Sequence, residues 1–123
     1  MASRPVLVVD DDPAIRDAVR DLLEDHGIPV ETATDGRDAL NKVTARPPRL
    51  VLLDMRMPVM DGWGFARALR DHGIFPPVVV MTAAADAKRW AAEIGAIGVV
   101  AKPFGISELV SAVQRFSTHS PGA

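Results

Sequence analysis

Four short apolar runs punctuate the chain: Val6-Leu7-Val8-Val9, Leu50-Val51-Leu52-Leu53, Val78-Val79-Val80-Met81 and Val99-Val100-Ala101. Each is too short for a helix and lacks polar alternation, which predicts strands buried on both faces, as in a parallel sheet. A fifth stretch, Pro29-Val30-Glu31-Thr32-Ala33, alternates in part and predicts an edge strand. Between these runs the apolar spacing turns helical. Ile15, Val19, Leu22 and Leu23 fall at i, i+4, i+7 and i+8, one stripe of a helix that Asp12-Pro13 opens and Gly27 closes. A second helix is predicted from about Gly36 to Ala45, with Ala39, Leu40 and Val43 inward and Pro47-Pro48 ending it. A third follows Gly62, turns Phe65, Ala66 and Leu69 inward, and ends near His72-Gly73. The Ala-rich stretch Asp86 to Ile94 predicts a fourth. Ile106, Leu109, Val110, Val113 and Phe116 stripe a fifth, before a polar tail from Ser117 to Ala123.

A strand-helix unit thus repeats five times. Such alternation requires crossover connections, right-handed almost without exception, and so predicts an α/β fold with a five-stranded parallel sheet flanked by five helices. The 123 residues, 48% of them hydrophobic, suffice for one domain over 1–123 with its core in 5–116. Against 14 basic residues stand 16 acidic ones, so no cationic excess exists to neutralise phosphates, and direct nucleic-acid binding by this chain is not expected. The absence of cysteine excludes a disulfide framework and a thiolate metal site, and suits the reducing cytoplasm. The apolar run at Val6 to Val9 is too short for a signal peptide or a membrane span, so no membrane partner is expected.

One imbalance directs attention to chemistry. Of the 16 acidic residues twelve are Asp and four are Glu, which favours caps, turns and oxygen-ligand sites over plain helix surface. Ligands of open α/β sheets bind beyond the carboxyl ends of the strands, and here those ends are polar. In chain order the first predicted strand leads into Asp10-Asp11-Asp12, the third into Asp54, the fourth into Thr82 and the fifth into Lys102. In a parallel sheet they converge on one edge. Crowded carboxylates repel unless a cation screens them, and hard oxygen donors without His or Cys select magnesium or a similar ion. An Asp beside a metal, with Thr and Lys aimed at the same space, has the parts to accept a phosphoryl group by nucleophilic attack on phosphorus. The new charge and acceptor oxygens would draw Thr82 and move its loop, which is a switch.

Several residues read as structure. Asp12 before Pro13 is a helix cap, and Asp61-Gly62 is a turn and helix start. His26, His72 and His119 have no metal-ligand spacing, and two of them sit at predicted helix ends. Met55, Met57 and Met60 line a loop or core, Phe104 and Phe116 belong to the core, and Trp63 either packs on the third helix or stays exposed near the site.

The combination resembles the receiver domain of two-component response regulators over nearly the whole chain, from Val6 to Phe116. The resemblance rests on Val8-Val9-Asp10-Asp11-Asp12, on Asp54-Met55-Arg56-Met57-Pro58-Val59-Met60-Asp61-Gly62, and on Met81-Thr82-Ala83, Gly95-Ala96 and Lys102-Pro103-Phe104. It implies the flavodoxin-like strand order 2-1-3-4-5 and a cis Lys102-Pro103 bond. It implies phosphorylation of Asp54 and contacts from Thr82 and Lys102 to the phosphoryl group. The magnesium ligands would be Asp10, Asp11, Asp54 and the backbone carbonyl of Arg56, with Asp11 the more direct of the acidic pair. The phosphodonor would be a histidine kinase or a histidine phosphotransfer protein, and the reader a downstream protein target or an attached output domain.

Two departures fall on the output side. Val99 stands where the family commonly has an aromatic residue that swings on activation, and the stretch from Thr82 to Gly95 is shorter than usual. Output is therefore expected to be reorganised, with Trp90 a candidate anchor if exposed. A phosphohydrolase with an aspartate nucleophile commonly has a second acid two residues on, where this chain has Arg56. A constitutive interaction module, uncoupled from phosphorylation, is the remaining alternative.

Overall fold

A computed structural model describes residues 4–117. The uninterrupted apolar runs form the strands because only a sheet covered on both sides can bury every residue of such a run. In chain order the elements are β1 (Val6–Val9), α1 (Pro13–Asp25), β2 (Val30–Ala33), α2 (Gly36–Ala45), β3 (Leu50–Leu53), α3 (Gly62–Asp71), β4 (Val78–Thr82), α4 (Ala87–Ile94), β5 (Gly98–Ala101) and α5 (Ile106–Ser117). All pairings are parallel and the order is β2-β1-β3-β4-β5. The predicted α/β architecture and the implied strand order both hold. In α5 the helix runs one residue into the predicted polar tail, and the remainder of that tail, with His119, lies outside the described residues.

Successive strand residues point to opposite faces, so each strand feeds two cores. Leu7, Val9, Val51, Leu53 and Val80 join Ala39, Val43, Phe65, Leu69 and Trp90 on one side. Val6, Val8, Leu50, Leu52, Val79 and Met81 join Val19, Leu23, Leu109 and Val113 on the other. Each of the Val, Leu, Met and Phe side chains among them contributes about 1.5–3 kcal/mol through its burial. Phe104 and Phe116 are half-buried against the second of these cores rather than inside it, a modest correction to their predicted place. Phe116 closes over β5 at Gly98, where a Cβ would sit 2.6 Å from the ring.

The helix starts account for much of the aspartate excess. Asp12 accepts from the Ala14 N–H at 2.9 Å, Asp35 from Asp38 at 2.8 Å and Asp61 from Gly64 at 2.8 Å, each satisfying a helical N–H that has no partner within its helix. His26 and His72 lie just past α1 and α3, their Nδ1 atoms 2.9 and 2.8 Å from the carbonyl oxygens of Leu22 and Ala68. Both therefore stand at the helix ends where the sequence pattern puts them.

Candidate functional site

The parallel register carries β1, β3, β4 and β5 to a common edge, and the polar residues after them meet there. Asp10 follows β1 and is 1% exposed; its Oδ1 accepts from the Asp12 N–H at 3.0 Å, and its Oδ2 lies 2.7 Å from Lys102 Nζ. Asp54 follows β3, tied to β1 by its own N–H donating to the Val9 carbonyl at 2.9 Å. Lys102 reaches Asp54 as well, with Nζ 3.8 Å from Oδ2. Asp11 is exposed at the rim, and one oxygen from each of Asp10, Asp11 and Asp54 lies within 4.8 Å of the others. Sequence separation is thus overcome by strand order alone.

Thr82 ends β4, is buried, and accepts from the Ala84 N–H at 3.3 Å, while its carbonyl accepts from the Lys102 N–H at 3.0 Å. Its hydroxyl therefore starts in a local turn beside the carboxylates. The backbone N–H of Arg56 donates to Asp54 Oδ1 at 3.4 Å, whereas the guanidinium lies over the Trp90 ring. Asp12, as expected, caps α1.

Charge at this edge is out of balance. Three carboxylates face one ammonium, and burial pushes the Asp54 carboxyl above its usual range. Lys102 opposes that rise, Asp10 adds to it, the Arg56 N–H opposes it, and Asp11 adds a smaller push upward. An all-oxygen donor set that is short of positive charge fits a hard divalent cation such as magnesium.

Three features lay beyond the sequence reading. An apolar groove of about 820 Å³ opens beside Lys102 and Ala83, between Ile15, Ala18 and Leu22 of α1 and the segment Pro103, Phe104 and Ile106. Its walls come from opposite ends of the chain, so no local pattern announces it. Val59 adopts φ +70 while 82% exposed, and the Met60 N–H donates to the Pro58 carbonyl at 2.7 Å across this tight turn. Nothing in a valine signals that conformation. Trp90 is 5% exposed, so it offers no protruding anchor: its ring packs into the core beneath Arg56, which corrects the conditional expectation. Trp63 is half-buried on α3, its ring set edge to face on Trp90.

Comparisons with known proteins agree with this geometry. The family model described as the response regulator receiver domain matches residues 6–114. The response regulator MprA of Mycolicibacterium vanbaalenii is 39% identical over 123 residues, covering 96% of this chain and 53% of that protein. The alkaline phosphatase synthesis transcriptional regulatory protein SphR of Synechococcus elongatus is 39% identical over 135 residues, covering 98% of this chain and 52% of that protein. The chain spans about half the length of these curated relatives. Among solved structures, the receiver domain of the Francisella response regulator 1452 has a TM-score of 0.87 at 29% identity, covering 97% of this chain and 100% of that one. The Vibrio cholerae chemotaxis protein CheY4 has a TM-score of 0.84 at 37% identity, covering 94% and 99%.

Proposed function

The chain belongs to the response regulator receiver family, and from that premise we propose that Asp54 accepts a phosphoryl group from a histidine kinase or a histidine phosphotransfer protein. The observation that carries the proposal is the meeting of Asp10, Asp11, Asp54 and Lys102 at one strand edge. In the step, a carboxylate oxygen of Asp54 attacks phosphorus, the P–N bond of the phosphohistidine breaks, and its electron pair returns to the donor imidazole. The product is an acyl phosphate. Lys102 Nζ stands close enough to Asp54 to offset charge on the transferring oxygens, and Thr82 can turn from the Ala84 N–H toward them. Magnesium, held by the carboxylates of Asp10, Asp11 and Asp54 and the Arg56 carbonyl, would supply the further positive charge that phosphoryl transfer demands.

The apolar groove beside Lys102 supports a protein donor, since α1 and Ile106, itself 63% exposed, offer a contact surface next to the acceptor. Turnover of small phosphate esters is not part of this reading, because Arg56 occupies the place of the general acid that such hydrolases use. The signal passes to a protein target or to an attached output domain, as the greater length of the relatives supports. The match over 6–114 supports reading 1–123 as one receiver domain. No helix among the described residues is long and apolar enough to cross a membrane, and the lack of cysteine supports a cytoplasmic setting.

The test is intact mass after incubation with magnesium and acetyl phosphate. Wild type gains one phosphoryl group and Asp54→Asn gains none. Equal uptake by both, or none by wild type, overturns the proposal. Val99 in place of an aromatic favours one second reading, a module uncoupled from its acceptor. Backbone amide shifts confined to the acidic pocket after addition of beryllofluoride and magnesium would favour it.

A further inference from the structure

The acceptor chemistry uses only the backbone of Arg56, yet its guanidinium has a definite place. It lies over the Trp90 ring with Cζ 5.1 Å from the centroid. Trp90 meets Trp63 edge to face at 5.0 Å and 71°. The Trp63 indole N–H in turn donates to Glu93 Oε1 at 3.0 Å, one turn beyond Trp90 on α4. These contacts tie α4 to the loop that carries Asp54 and to α3. Its other end is held less firmly, since among the described residues Asp86 makes no side-chain cap and its carboxylate pairs only with exposed Arg89. A helix of eight residues does not persist on its own propensity, so its position depends on what packs against it.

We infer that Arg56 relays the charge state of Asp54 to α4: the guanidinium rests on Trp90 while Asp54 is a free carboxylate and leaves the ring for the added oxygens once Asp54 is phosphorylated. The inference rests on the phosphoacceptor reading. Phosphorylation adds negative charge to an edge where carboxylates already outnumber the one ammonium. The N–H bond from Arg56 to Asp54 keeps the residue beside the new group. A charge-assisted hydrogen bond to a phosphoryl oxygen is stronger than a cation–π contact at an exposed side chain, so the guanidinium moves. Trp90 loses its cover and α4 loses one of its ties. A partner can then read α4 without a swinging ring at Val99.

Trp63→Phe keeps an aromatic ring against Trp90 and leaves Trp90 the single tryptophan of the two in the chain. In that background, Trp90 emission is recorded with magnesium and acetyl phosphate while intact mass counts the phosphoryl groups taken up. Emission changes in proportion to uptake. The change per phosphoryl is lost when Arg56→Met is added, because a neutral stem has no reason to leave the ring, and Arg56→Lys restores a change of the same sign. Uptake without any emission change, or an equal change per phosphoryl with Arg56→Met, overturns the relay. No uptake at all overturns the acceptor reading instead, and the relay falls with it.

Discussion

The two halves of the sheet are built to different standards. In the half formed by β1 and β3 every strand residue is buried, and the residues that follow them, Asp10 and Asp54, are held by backbone bonds across the strands and by Lys102. In the half formed by α4 and β5, Val99 is half-buried, Ala101 is exposed and α4 has a loosely held start. A groove of about 630 Å³ also opens between Lys88, Val99 and the α5 residues Ser111, Ala112 and Arg115. The difference teaches how one small sheet serves two needs. Phosphoryl chemistry requires groups that do not reorganise, whereas a reporting element must have a second position within a few kcal/mol.

The sharpest way to break this comparison is Lys102→Ala. Asp10 is 1% exposed and its ammonium partner is 15% exposed, so removal leaves a buried carboxylate without its ion-pair partner. We expect a loss of about 3 kcal/mol in urea unfolding. A loss below about 1 kcal/mol would mean that this half is as loosely held as the other. Magnesium comes next. At a concentration a hundredfold above its dissociation constant it should stabilise wild type by about 2.7 kcal/mol, with a far smaller gain in Asp11→Asn.

The acidic edge also sets a pH dependence. Because burial, opposed by Lys102, raises the Asp54 carboxyl above its ordinary 3.8, the native chain takes up a proton more readily than the unfolded one. This contribution to stability therefore falls as pH climbs from 3.8 through the raised value, and is level above it. Without metal, Asp54→Asn should raise the urea midpoint at neutral pH, and the advantage should fade in acid below the ordinary value. A midpoint unchanged or lowered at neutral pH contradicts the burial argument.

Val59 probes strain in the same half. Among the described residues it is the one non-glycine at positive φ, where Gly27, Gly73 and Gly95 adopt that geometry freely. The backbone strain costs about 1–3 kcal/mol, and glycine returns up to about 1 kcal/mol through a freer unfolded chain. Since the Val59 side chain is 82% exposed, little packing is lost, and Val59→Gly should stabilise by about 1 kcal/mol. Thermal melting decides the sign.

What could be read from the chain divides along the same line. The β1 and β3 half was legible because uninterrupted apolar runs admit few alternatives, and because parallel strands must bring Asp10, Asp54 and Lys102 to one edge. The caps at Asp12 and Asp61 were legible because they act within one turn. The strand order came from the family resemblance, since alternation alone fits several orders. The α4 side resisted. An Ala-rich stretch leaves its inward face open, so the burial of Trp90 could not be fixed, and the Trp63–Glu93 bond spans 30 residues. The stack of Arg56 on Trp90 depends on side-chain directions that no local period encodes.

The smallest expected effect belongs to the reporting half. Arg89 and Asp86 form an i,i+3 pair at 3.2 Å with side chains 64% and 51% exposed. Solvent and salt screen such a pair, and ordering two mobile side chains offsets part of the attraction, so Arg89→Ala should cost no more than about 0.5 kcal/mol. Because Asp86 makes no side-chain cap, releasing it from Arg89 frees its carboxylate to accept from an unpaired N–H of the first turn, which reduces the loss further. Amide exchange of α4 should therefore change little, while that of β1 and β3 stays fixed. A cost above about 1 kcal/mol, with faster exchange across the whole of α4, would show that this pair is a main fastening of the helix. The two halves would then differ less in how firmly they are held than their burial suggests.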